Sequence, residues 1–504
     1  LSSLIVMGGF LLSKAIGVVR QSIIARTFGA GDPLDAYYAA FKLPDLLLTL
    51  IAGGAIATTF IPVFAEHLAR GDTGRAWRLA SAVLNALLGA MAFIALVAAP
   101  LAPWLVRTLV APGFDPALQA LTAELMRLVL LSSTLFAVSS LAMSVLQAHK
   151  HFLLPALADF FYDVGIIGGA LFLAPHLGIH GLAWGVEIGA GLHLLIQVPG
   201  LLHYGARYVP TLRVGDRSLL QLGRLMGPRI LILGMFQFVF LFTTNLASRL
   251  EKGSITAINV GWIVMQMPEV VFGTAIATAA FPTLSQLAAQ GAQGKLQEAV
   301  SGTLQAILWT TFPSGVALLL LGRPYIALLF RSGAFDERAV EMVYGAAVAF
   351  TAGLLGHSIL ELAARLFYAH KNTLTPFWVA LGATTLNLAL CLALAPPLGH
   401  AGLALANSIA VTLQSGLLLW LGGRSLVRLS WRRVWSHTWK ATLASAAMAG
   451  GILLVTQQEA TLGHLNTALL GSAAGGIAYV LCMALLNRQE MRRLAGVVQS
   501  RLAR

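Results

Sequence analysis

"AHKHFLLP" occupies residues 148–155 and "AHKNTLTP" residues 369–376, an offset of 221 within one chain. The same offset relates "LGIHGLA" (177–183) to "LGHAGLA" (398–404), and "AIATTFIP" (55–62) returns as "AIATAAFP" (275–282) at an offset of 220. Three matches in one order at nearly one spacing mark an internal duplication. The sequence around them shows what is duplicated. Apolar runs of about 18–25 residues, enough to cross a hydrocarbon core of about 30 Å, recur from end to end between short polar or Gly/Pro-containing breaks. Of 504 residues 58% are hydrophobic and only 11% charged, against about 25% charged in soluble domains. Strands of a membrane barrel would be about ten residues long with alternating polarity, so the spans are helices.

Fourteen spans are predicted: 4–28, 36–64, 79–104, 121–147, 155–175, 180–203, 222–247, 256–286, 300–322, 340–369, 375–396, 401–423, 438–457 and 465–487. Six of them separate each matched pair, an even number, so the two copies cross the membrane in the same sense. Such a parallel repeat places substrate between its halves in transporters. The expected fold class is an all-α polytopic membrane protein with two six-helix lobes, residues 1–220 and 221–430. Two further helices and a basic tail occupy 431–504. A non-transporting scaffold would have no need of two equivalent lobes.

The net charge of +13 does not indicate nucleic acid, because the cations alternate between loops. Arg70, Arg75, Arg78, Lys150, Arg207, Arg213, Arg217, Arg224, Lys295, Lys371, Arg424, Arg428, Arg432, Arg433 and the Arg-rich C-terminus lie in alternate connections. The positive-inside rule makes those loops and both termini cytoplasmic. Arg323, Arg331 and Arg338 run against the pattern. Cys391 and Cys482 both fall within predicted helices, so no disulfide framework or thiolate metal site is expected. The first span lacks the cleavage pattern of a removed signal peptide. No G-x-x-x-x-G-K-[ST] phosphate loop occurs, and no nucleophile–base arrangement stands out. His149, His151 and His370 sit in loops without metal-ligand spacing. A transporter without a metal or organic cofactor is expected, not an enzyme.

Charges near the bilayer centre cost at least about 2.5–3.5 kcal/mol and usually face protein or water. In "KAIGVVRQSIIAR" (14–26), at 100° per residue, Ser13, Gly17 and Arg20 line one face and Lys14 with Gln21 a neighbouring one. Arg26 is near the helix end, where it can snorkel. Arg20 and Lys14 converging on a cavity call for an anion, and a di- or pyrophosphate matches guanidinium geometry. Pairing with an internal acid is the alternative. Candidate acids are Asp35, Asp45, Asp159, Asp163, Glu187, Glu269 and Glu361. Asp159 and Asp163, four residues apart, share a helix face, fit for a cation or proton or for an ion pair to Lys14 or Arg20. Glu269 follows Pro268 as Asp45 follows Pro44.

"SKAIGVVRQSIIARTFGAGDPLDAYYAAFKLPDLL" (13–47), with "AIATTFIPVFAEHLA", "MGPRILILG", "GTAIATAAFPTLSQLAA" and "LFYAHKNTLTPF", resembles the MurJ (MviN) family of lipid II flippases in the MOP exporter superfamily. The resemblance covers nearly the whole chain. It implies a fourteen-helix inner-membrane protein moving undecaprenyl-pyrophosphate-linked peptidoglycan precursor from the cytoplasmic to the outer leaflet, with the last two helices grooved for the lipid tail. Ser13, Arg20, Asp35, Lys42 and Pro44 match the family, and Lys14 stands where it usually has Arg. Where the family carries an Arg pair this chain has Leu48 and Thr49. The family's Glu is Gly53, its eighth-helix Arg is Ile263, an acid nearby is Gln266, and the residue after Arg20 is Gln21. Arg229, Asp159, Glu187 and Glu361 occur where other residues are expected.

The expected substrate-contacting set is therefore Ser13, Lys14, Arg20, Asp35 and Arg229, with Asp159, Asp163, Glu187, Glu269 and Glu361 as ion-binding or pairing acids. Lipid II is the expected cargo. Another polyprenyl-linked glycan or an amphipathic small molecule is the alternative, favoured by the missing arginines. Membrane potential or a monovalent ion is the expected driving force, a monomer the expected state, and the cell-wall synthesis machinery a candidate partner.

Overall fold

The computed structural model describes residues 16–51, 55–210, 233–427 and 429–487. Among these, the helices are α1 (16–28), α2 (Asp32–Ile51), α3 (Ala55–Ala69), α4 (Thr73–Val110), α5 (Pro116–Ala148), α6 (Leu153–Leu177), α7 (Ile179–His203) and α8 (Leu233–Ala247). They continue as α9 (Ser254–Ala289), α10 (Gln293–Phe330), α11 (Glu337–Thr351), α12 (Leu354–Ala369), α13 (Leu374–Ser425), α14 (Trp431–Thr456) and α15 (Gly463–Leu486). The described parts of the second predicted span lie in α2 and α3, each with an internal proline, Pro44 and Pro62. The tenth is α11 and α12, bent by 43°. The eleventh and twelfth both lie within α13 and are separated at Gly399, whose backbone is not helical. Nine described helices are long and apolar enough to cross a membrane, ten if the bent pair is one span.

The duplicated motifs prove to be stop signals. At the end of α5, Lys150 has φ 60°, and the amides of Lys150 and His151 reach back to the carbonyls of Gln147 and Leu146. At the end of α12, Lys371 has φ 58°, and Lys371 and Asn372 reach back to Tyr368 and Phe367. This is the left-handed C-terminal cap that satisfies a helix's last carbonyls, set twice 221 residues apart. Gly178 and Gly399 likewise share φ 57° and ψ −138°, a conformation open essentially to glycine. Three residues on, a Cβ on Gly181 would lie 2.4 Å from the Leu173 backbone, and one on Gly402 2.1 Å from the Leu394 carbonyl.

Packing divides the chain into two compact units. One holds the described residues up to Thr256 together with Ser332–Asp336, the other Ala257–Arg331 and the residues from Glu337 onward. This boundary falls beyond residue 220 because α8 and the start of α9 bond into the first unit. Asn245 donates to the Leu109 carbonyl at 2.8 Å, and Ser248 accepts from the Gly113 amide at 3.1 Å. The first unit's core packs Phe60, Phe64, Trp77 and Met91 against Leu141 and Val145. The second packs Leu284, Leu304 and Ile307 against Leu362, Leu366 and Phe367. α14 and α15 pack on each other and on α10 through Leu321, Met448 and Ile452, and Tyr479 donates to the Trp309 carbonyl at 2.6 Å. Exposed Phe93, Leu96, Leu454 and Leu485 form part of the apolar outer surface that lipid requires.

Gly178→Ala and Gly399→Ala should each destabilise the protein by about 1–3 kcal/mol. Lys150→Gly and Lys371→Gly should each stabilise it by about 1 kcal/mol by removing a left-handed side-chain penalty. Thermal unfolding in detergent reads both. Shifts of opposite sign, similar at the paired positions, are expected; equal shifts for the Gly→Ala and Lys→Gly changes would contradict the shared backbone geometry.

Candidate functional site

Arg20 and Asp163 meet in the first unit, Nη1 to Oδ1 at 2.5 Å, with side chains 26% and 7% exposed. Gly17 lies on the same side of α1 and faces the pair: a Cβ there would be in ordinary contact, at 3.6 Å, with the other Asp163 oxygen. Tyr37, Tyr38 and Tyr162 lie within electrostatic reach of the guanidinium, and Gln21 donates to the Tyr38 hydroxyl. A cation in an apolar lobe is held here by a carboxylate, with three tyrosines within electrostatic reach.

Asp159, one turn from Asp163 on α6, has a different partner. His193 Nε2 stands 3.4 Å from its Oδ1. The other ring nitrogen is 2.6 Å from Ser139 Oγ, which accepts from Gln197 at 2.7 Å. The shared helix face is as expected; the two acids nevertheless serve separate contacts. On α7, Glu187 Oε1 accepts the Ser132 amide at 3.1 Å, while Oε2 is buried without a partner.

Asp35, grouped by sequence with the substrate-contacting residues, is engaged elsewhere. Its carboxylate accepts from Gly253 N–H at 2.8 Å and from Thr256 N–H and hydroxyl at 2.7 and 2.6 Å. It thereby satisfies amides at the start of α9, which have no partner within their own helix. Lys252 pairs with Asp32 beside it at 2.6 Å. Lys42 stands 5.6 Å from the Phe240 ring, and Gln237 donates to Thr49 at 3.1 Å. Ser13, Lys14 and Arg229 lie outside the described residues.

In the second unit Glu269 opens a π-helical stretch, Glu269–Thr274, directly after Pro268, and accepts from the Thr274 hydroxyl at 2.9 Å. Glu361 pairs with Arg365, whose other nitrogen donates to Thr278 at 2.9 Å. Glu269 lies within electrostatic reach of both. Sequence reading missed His193, Gln197 and Arg365. Arg365 had a signal, a cation four residues after Glu361 on one apolar helix.

Two copies of one helical repeat, each lobe holding acid–base pairs on apolar helices, are the architecture of a two-lobed membrane transporter. A family profile described as "Lipid II flippase MurJ" matches residues 24–473. The lipid II flippase MurJ of Burkholderia cenocepacia is 33% identical over 433 residues, 84% of this chain and 83% of that protein. The probable lipid II flippase MurJ of Thermotoga maritima is 30% identical over 488 residues, 96% of each. A solved structure of lipid II flippase MurJ in an inward closed conformation superposes with a TM-score of 0.83 at 22% identity, over 97% of this chain and all of that one. An inward-facing multidrug transporter of the MATE family, in the MOP superfamily, follows at 0.71 and 14%, over 84% and 95%. The chain belongs to the MurJ family.

Arg20→Ala leaves Asp163 buried without its cation. Breaking a buried pair costs about 3–5 kcal/mol, and the low end applies because Arg20 keeps some exposure. Adding Asp163→Asn should recover more than half of the loss. A thermal double-mutant cycle tests this coupling; strictly additive losses would contradict a direct pair.

Proposed function

We propose that this protein is a lipid II flippase of the bacterial inner membrane, carrying the precursor from the cytoplasmic to the outer leaflet by alternating access of its lobes. Membership of the MurJ family over nearly the whole chain carries the reading. The Arg20–Asp163 pair supplies its chemistry. Asp163 occupies the guanidinium as a pyrophosphate oxygen would, so the site stays neutral when empty. Arriving pyrophosphate competes for the same donors with more oxygens and more charge. Lys14, predicted beside Arg20 on the same helix, adds a second cation. The concentration of cations in alternate loops supports cytoplasmic termini. Carrying net negative charge outward is favoured by an inside-negative potential, about 2.3 kcal/mol per charge per 100 mV.

One observation favours a related cargo. Three positions where the family resemblance leads one to expect arginine are neutral: Leu48, Thr49, whose hydroxyl is bonded to Gln237, and Ile263. A different polyprenyl-linked glycan would use the same fold with a weaker grip on phosphate.

Complementation of a flippase-depleted bacterium decides between them. Wild type should restore growth and Arg20→Ala should not, with both proteins present at equal level in the membrane. Growth with Arg20→Ala would overturn its role. Failure of the wild type, combined with movement of another polyprenyl-linked glycan in proteoliposomes, would overturn lipid II as cargo.

A further inference from the structure

Glu187 is 7% exposed in the interior of the first lobe, and its Oε2 touches no hydrogen-bond partner. The only group meeting its carboxyl at hydrogen-bond distance among the described residues belongs to Ser132, whose amide donates to Oε1 at 3.1 Å. The ionisable groups on the helices around it are otherwise engaged. On α6, Asp163 pairs with Arg20 and Asp159 with His193, the latter on α7 itself. On α5 and α7, Glu124 pairs with His180, and Arg127 donates to the Ala99 carbonyl. On α2, Asp35 binds the start of α9, Lys42 and Asp45 lie one turn apart, and Tyr38 accepts from Gln21. Tyr37 lies among these groups near Arg20. Tyr162 on α6 is the titratable group within reach of Glu187, and it carries no positive charge. A carboxylate left in this place would be a buried charge without a counter-charge, which is costly.

The second lobe serves as an internal control. At an offset of 221, Glu187 corresponds to Ser408 and Ser132 to Gly353. Ser408 donates to the carbonyls of Ala349 at 2.7 Å and Phe350 at 3.2 Å, where α11 and α12 bend by 43°. A hydroxyl is therefore enough for this helix contact, and the acid in the first lobe is not required by packing. An ionised carboxylate can only accept hydrogen bonds; a protonated one can also donate.

We infer that Glu187 binds the coupling proton. When Oε2 carries a proton, Glu187 can donate to a backbone carbonyl of α5 as Ser408 does to its counterpart helix. Loading thus favours in α5 the bend already present between α11 and α12. A sodium ion is poorly provided for: among the described residues the carboxyl meets only the amide and hydroxyl of Ser132, and no second carboxylate meets Oε2. That the proton drives transport rests on the flippase reading; that Glu187 binds it does not.

Two measurements on the full-length protein in liposomes separate these claims. Infrared difference spectra recorded against pH, without substrate, should show a protonated-carboxyl band in wild type and in Glu124→Gln that is lost in Glu187→Gln and in Glu187→Ser. The serine variant repeats the second lobe's solution and guards against misfolding. Persistence of the band in both Glu187 variants, or its absence from wild type, would overturn the site. In lipid II transport at clamped potential, a pH gradient should accelerate wild type by up to about tenfold per unit for one proton and leave Glu187→Gln unaffected. Equal acceleration of the variant, or replacement of the pH gradient by a sodium gradient, would overturn the coupling role. If wild type moves no lipid II under any gradient, the cargo reading fails while the infrared result stands.

Discussion

A guanidinium inside an apolar lobe must be neutralised by something, and here Asp163 neutralises Arg20 at 2.5 Å. Much of the first lobe's interior is arranged around that need. Gly17 of α1 faces Asp163 of α6, and tyrosines of α2 and α6 lie within electrostatic reach of the charge. In the proposed flippase the pair would also serve transport. An internal acid keeps the cation soluble in the lobe, and a stronger polyanion can take its place without either state leaving a bare charge.

The duplication supplies a common backbone on which the two lobes differ in polar content. Lys150 and Lys371 end equivalent helices with the same left-handed cap, and Gly178 and Gly399 turn the chain with the same dihedrals. On that shared frame, Asp163 corresponds to Thr384, His193 to Gln414 and Glu187 to Ser408. The second lobe instead gathers Glu269, Glu361 and Arg365 near a π-helical stretch. Each lobe thus carries its own charge arrangement, and family membership alone would not have located either.

Architecture was legible in the sequence because it follows from long apolar runs and a repeat, both of which survive without knowledge of contacts. The motif 148–155 was recognised as a repeat without revealing that its lysine adopts a left-handed conformation, which lysine rarely does. The site was legible only in part. Helical periodicity placed Asp159 and Asp163 on one face, yet could not tell that one would meet Arg20 and the other His193, since that depends on how α1 and α7 lie against α6. Asp35 belongs to a stretch that matches the family, and its sequence carries no sign that α9, more than 200 residues later, would need its oxygens. Glu187 was singled out for being an acid in an apolar run; its missing partner became visible only from the packing around it.

The central claim is that Asp163 stands in for the substrate's pyrophosphate at Arg20. Equilibrium binding of lipid II to the purified full-length protein tests it most directly, comparing wild type, Asp163→Asn and Arg20→Ala. A charge-assisted hydrogen bond is worth about 1.5–3 kcal/mol, so Arg20→Ala should weaken binding by about 10–100-fold. Asp163→Asn, having lost the internal competitor, should bind as tightly as wild type or more tightly. Weakening by Asp163→Asn as severe as that by Arg20→Ala, or unchanged binding in Arg20→Ala, would contradict the account.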